Sequence, residues 1–215
     1  MDANDLKDTT IVAIPGSLGE KIPGAVLCDA GLLDTLLRQK RLPKNSLDPS
    51  QMTYRSSTGE LELDRRNTVF RMVTPQCETF ILPVKQRGSG NFLSVDNQIG
   101  HGVFSALSLD GKALTDSKRI LLLHLTDALP TKMKFTDRTM RRLESWGEVP
   151  FLARRGEAAI SFVGSGFQLY ALNSAGKRLA EIPLSVKNGS SNTKLSVFNP
   201  FGQVFAYELL RNPKK

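Results

Sequence analysis

Residues Thr58 to Pro75 read TGELELDRRNTVFRMVTP. Glu60-Leu61-Glu62-Leu63-Asp64 alternates strictly between acid and leucine, the period-2 pattern of a strand with one face toward a core. Thr68 to Val73 alternates too, with Val69, Arg71 and Val73 opposite Phe70 and Met72. The polar pair Arg66-Asn67 separates the two runs. The stretch predicts two short strands joined at Arg66 and Asn67, with Leu61 and Leu63 turned inward and Glu60, Glu62 and Asp64 turned outward.

Moving outward, SLDGKALTDSKRILLLHLTD, from Ser108 to Asp127, repeats the device around a larger loop. Asp110-Gly111 is a hairpin signal. Arg119 to Leu125 is nearly continuous in apolar residues, as expected of a central strand covered on both faces. Further strands are predicted over Cys77–Val84, Phe92–Val95, Gly100–Leu109, Val149–Ala153, Ala158–Val163, Phe167–Leu172, Arg178–Val186, Thr193–Phe198 and Gln203–Leu210. Gly88-Ser89-Gly90-Asn91, Gly164-Ser165-Gly166, Asn173–Gly176 and Asn188-Gly189 read as turns. Short strands at this spacing argue for an all-β fold, an antiparallel β-sandwich or jelly roll. Thr131 to Glu144 is the most basic segment and reads equally as a long loop or as a loop with a short helix over Thr136 to Leu143.

Residues 1 to 50 differ, with short apolar runs cut by Gly and Pro. Asp29 can cap a helix over Ala30 to Lys40 that places Leu32, Leu33, Leu36 and Leu37 on one face. Asp34 and Arg38 would pair on its outside, and Pro43 stops it. The expected organisation is an N-terminal arm with one short helix over 1–50 and a β-sandwich domain over 51–215.

A hydrophobic content of 40% and a charged content of 23% are close to globular averages, so the chain can build a core without staples. Lys and Arg total 29 against 21 Asp and Glu, a net +8. Such a balance suits an anionic partner, but the cations are scattered, as they are in a surface that only keeps a protein soluble. The opening MDANDLKD is acidic and unlike a signal peptide. No run approaches the ~18 apolar residues of a membrane span, so no membrane partner is expected. The chain reads as soluble, alone or as a piece of a longer exported protein whose leader lies upstream, and no compartment follows from it. Cys28 and Cys77 have no zinc or redox spacing, and one disulfide or two free thiols are equally open.

The residues that could carry chemistry are few. Glu60, Glu62 and Asp64 could in principle hold a hard cation or supply paired carboxylates, but acids alternating with leucines are what a half-buried strand contains anyway. His101 and His124 sit in apolar surroundings with no ligand spacing and read as core or edge histidines, so no metal and no cofactor are expected. Gly164-Ser165-Gly166 lies between two strands, the wrong setting for a nucleophile elbow, and no catalytic residue stands out. Trp146, the lone tryptophan, could stack on the apolar face of a sugar, although a ring packed over a core edge is the commoner fate. Tyr170 is another amphipathic aromatic in a predicted strand. Lys132, Lys134, Arg138, Arg141, Arg142, Arg154 and Arg155 could face a sulfated or carboxylated glycan or nucleic acid, without the interleaved aromatics of a single-strand binder. Nucleic acid is therefore the less favoured partner. The candidate carbohydrate-binding residues are Trp146, Tyr170 and Arg154.

Several phrases in order resemble the C-terminal β-sandwich of large bacterial glycoside hydrolases, enzymes with a TIM-barrel catalytic domain followed by β domains. They are YRSSTGEL from Tyr54 to Leu61, FRMVTPQ ending at Gln76, SALSLDGKAL from Ser105 to Leu114 with SKRILLL from Ser117, SWGEVP from Ser145, LYALNSAGKRLAEIP from Leu169 to Pro183, and the closing YEL from Tyr207. The match runs over residues 52 to 210. Val73 stands where that family usually has an Asp, and Cys77 where small polar residues are usual. The resemblance implies a non-catalytic accessory module that packs against a catalytic barrel of the same or a neighbouring polypeptide and contacts polysaccharide. That family's catalytic glutamates lie in the barrel, so no catalytic residue carries over to this chain.

Overall fold

The computed structural model of the chain describes residues 38–39, 52–56, 58–137 and 140–211. The chain divides into two units, Met1–Arg66 and Asn67–Lys215. The helix expected over Ala30 to Lys40 lies outside the described residues except for Arg38 and Gln39, and Cys28 lies outside them too.

In the first unit, β1 (Thr53–Arg55) pairs antiparallel with β2 (Leu61–Asp64). The expected orientation of β2 is reversed. Leu61 and Leu63 are 36% and 42% exposed, while Glu62 and Asp64 are half-buried. The cause is cross-strand: Glu62 lies opposite Arg55 and accepts from its Nε at 2.7 Å, so the acid face of the hairpin is the paired one.

The second unit contains β3 (Val69–Val73), β4 (Cys77–Leu82), β5 (Arg87–Ser89), β6 (Leu93–Ile99), β7 (Gly102–Ser108), β8 (Arg119–Leu125), β9 (Ala128–Thr131), β10 (Lys134–Phe135), β11 (Leu143–Ser145), β12 (Glu148–Ala153), β13 (Glu157–Val163), β14 (Phe167–Leu172), β15 (Arg178–Ile182), β16 (Ser185–Lys187), β17 (Ser190–Ser196), β18 (Phe198–Asn199), β19 (Gly202–Gln203) and β20 (Ala206–Arg211). Seven of them form one antiparallel sheet in the order β3-β4-β7-β8-β20-β14-β15. A second sheet has the order β16-β17-β13-β6-β5. Their inner faces meet in one core: Phe80, Leu82, Phe104, Ile120, Leu122, Leu169 and Leu209 from the first, and Leu93, Val95, Ile160, Phe162 and Leu195 from the second. This is an all-β, antiparallel sandwich, as the alternating pattern predicts.

Two expectations about this unit change. β8 alternates between buried and half-exposed residues, so Leu121, Leu123 and Leu125 stand on an outer face that is only partly covered. Gly88 and Ser89 belong to strand β5, and the turn begins only at Gly90. A Cβ on Gly88 would lie 2.6 Å from Cγ of Phe80, so this glycine lets a strand pass over an aromatic ring.

Three buried polar side chains tie the sheets together. Glu78 on β4 accepts the backbone N–H groups of Asn91, Phe92 and Leu93 at 2.6, 2.9 and 2.7 Å. The Asn97 amide on β6 donates to the carbonyls of Leu82, Pro83 and Gly100. The Tyr207 hydroxyl on β20 donates to the Ser196 carbonyl at 3.1 Å, and burial pushes its phenol up to about 12.

The basic segment 131–144 resolves in part as strand. β10 pairs with β11, and β9 pairs with β12, giving two-stranded ribbons that share no ladder with either sheet. Among the described residues of Thr136 to Leu143 there is no helix.

Candidate functional site

A shallow groove of about 470 Å³ opens where β6, β7, β8 and β12 end. Val103 on β7 and Leu125 on β8 are register partners and form its apolar floor. His101, in the turn between β6 and β7, is exposed at its rim. That turn depends on Gly100, whose φ is +78° and whose added Cβ would lie 2.5 Å from the Arg155 carbonyl oxygen. The polar wall is a cross-ribbon latch. The Arg154 N–H donates to the Asp127 carbonyl at 2.7 Å, and the Thr126 hydroxyl to the Arg154 carbonyl at 2.8 Å. The Arg154 guanidinium meets the Asp127 carboxylate at 2.9 Å. The last pair is about half exposed, so it is weak as a stabiliser and available to a ligand. An aliphatic floor beside a guanidinium–carboxylate pair and an imidazole can receive a ring that is apolar on its face and hydroxylated at its edge.

The three sequence-predicted residues occupy different places. Arg154 lines this groove. Trp146 is 77% exposed in the loop between β11 and β12. Tyr170 is on the outer face of β14 with the Arg178 guanidinium 4.4 Å above its ring centroid, so one ring face is taken. No hydrogen bond, ion pair or ring contact joins any two of the three among the described residues.

Arg178 also belongs to a triad that sequence reading missed. Glu208, 5% exposed on β20, accepts from Arg119 Nε at 2.6 Å and Arg178 Nε at 2.7 Å. Burial raises its carboxyl, but the two guanidiniums outweigh that and hold it below the usual carboxylate range. Glu157 is likewise lowered by Lys194 and Arg155. Asp110, which accepts from the Lys118 N–H and the Ser117 and Ser108 hydroxyls, lies well below that range. These are surface or sheet-edge pairings that order loops, and only the tyrosine contact involves a predicted site residue.

His124 is fully buried and stacked on Phe104 at 4.6 Å between ring centroids. It is a core histidine as expected, but neither ring nitrogen has a hydrogen-bond partner. Burial pushes its imidazole down to about 4. Among the described residues no three His, Cys, Asp or Glu come together as a metal site, and no helix is long and apolar enough to cross a membrane. Cys77, half-buried on β4, is a free thiol.

No protein-family model matches the chain, and no curated protein matches it.

Proposed function

We propose that this chain is a non-catalytic β-sandwich accessory module that packs beside a catalytic domain of the same or a neighbouring polypeptide and holds polysaccharide. The observation that carries the reading is the Arg154 groove, an aliphatic floor of Val103 and Leu125 walled by an accessible Arg154–Asp127 pair. The apolar, half-exposed outer face around Leu107, Leu121 and Leu123 supports the docking half of the proposal. The ordered phrases from Tyr54 to Leu209 supply the enzyme class. Screening the parent protein and Arg154→Ala against an array of neutral and acidic oligosaccharides tests it. Binding that weakens in the variant supports the groove, and a parent that retains no glycan leaves only the structural role.

A second reading is a basic module for anionic glycan or nucleic acid. It is favoured by Lys134, Arg141 and Arg142, which carry no salt bridge among the described residues. Retention on heparin or DNA that collapses with added salt would select it.

A further inference from the structure

Residues 148 to 152 of β12 are exposed on both faces of the strand, although Val149, Phe151 and Leu152 are apolar. Their exposures are 78%, 66% and 57%, next to Trp146 at 77%. A strand this apolar and this open is a place where another strand adds.

The hydrogen-bond parity shows which edge is free. Arg154 donates to the carbonyl of Asp127, so these two are a bonded pair. Bonded and non-bonded pairs alternate in an antiparallel ladder. Leu152 and Leu129 are therefore bonded, while Phe151 opposite Pro130 and Ala153 opposite Ala128 are not. The backbone groups of Phe151 and Ala153 thus point away from β9, and no other ladder takes them. The far edge of the ribbon is different. Pro130 has no N–H to offer there, and its carbonyl already accepts from Met133. One ribbon edge is closed by proline and the other is open.

We infer that the open edge of β12 pairs antiparallel with β12 of a second copy of this chain, about a two-fold axis at Phe151. Phe151 faces itself across that axis and exchanges both backbone hydrogen bonds with its counterpart. The charges favour a like partner. Glu148 precedes Phe151 by three residues and Arg154 follows it by three, so antiparallel pairing brings each copy's acid beside the other's base. Both side chains are about half exposed and reach out from the strand ends. The pairing covers Phe151 on both copies and shields the neighbouring Trp146.

Sedimentation velocity of the full chain over a concentration series tests this, with Trp146 emission as a second readout. The expected result is a monomer–dimer equilibrium in which emission shifts to the blue as dimer forms. Ala153→Pro removes one outward N–H and should weaken association about tenfold or more, while Ala128→Pro, on the closed edge, should leave it unchanged. Glu148→Lys and Arg154→Glu should each be monomeric alone and should form a mixed dimer with one another. A single monomer at every concentration overturns the proposal, as does a dimer that persists in folded Ala153→Pro. If that variant fails to fold by circular dichroism, the mixing of the two charge variants decides: no mixed dimer overturns it.

Discussion

Gly90 lies directly against the carboxylate of Glu78. A side chain at position 90 would overlap the acid, and the acid in turn holds the three N–H groups that follow the glycine. A charged group that is 1% exposed is tolerated here because three backbone donors replace its water.

Removing that acid should be among the most damaging single changes. Glu78→Ala leaves three donors without their acceptor and should cost about 3 kcal/mol or more, at roughly 1–3 kcal/mol per stranded group. Glu78→Gln should also destabilise, because an amide NH₂ would face an N–H. Urea unfolding of both variants, with Gly90→Ala as a steric companion, measures it, and a loss within experimental error for Glu78→Ala would contradict the account.

His124 predicts an acid-side loss of stability. Its folded value of about 4 lies below the ordinary histidine value of 6.5, so the unfolded chain binds the proton more readily. Stability is therefore complete above about pH 6.5 and falls as pH drops toward 4, by on the order of 3 kcal/mol in total. Unfolding curves at neutral pH and near pH 4.5 should differ in the parent and much less in His124→Leu.

The Arg119–Glu208–Arg178 triad predicts non-additivity. Each arginine is largely exposed, and losing either should cost about 1 kcal/mol because the other still neutralises the acid. Losing both leaves a buried carboxylate alone and should cost about 3–5 kcal/mol, more than the sum. A double-mutant cycle reads the coupling directly.

Trp146 gives a spectroscopic prediction. At 77% exposure, the only tryptophan of the chain should emit as a solvated indole at low protein concentration and be quenched readily by acrylamide. A blue-shifted, protected emission at high dilution would mean that the loop between β11 and β12 is covered.

Much of the architecture was legible. Arg119–Leu125 and Phe167–Leu172 are observed at their predicted bounds, because each is an apolar run closed by polar or turn residues. Asn188-Gly189 makes the expected two-residue turn, with both residues at positive φ, between Lys187 and Ser190. What was not legible depends on distant partners. Gly88 reads as a turn until Phe80 is seen beneath it. The buried acid Glu208 finds its arginines 89 and 30 residues away. The ribbon of β9 and β12 hides in a basic stretch with little alternation. Of the candidate site, Arg154 was named from charge alone. Its neighbours Val103, Leu125 and Asp127 gave no local signal, since they meet only where several strands end.

The place of β20 in its sheet bears on how the protein is made. It follows every other strand of that sheet in the chain, yet it lies between β8 and β14, bonded to both. While the polypeptide is still leaving the ribosome, those two strands have no neighbour on that side, and Leu169 and Ile120 lack the Leu209 that stands between them. Closure of the sheet waits for the last segment to emerge, so a nascent chain stalled before Ala206 should be held by chaperones or degraded rather than accumulate as a smaller folded product.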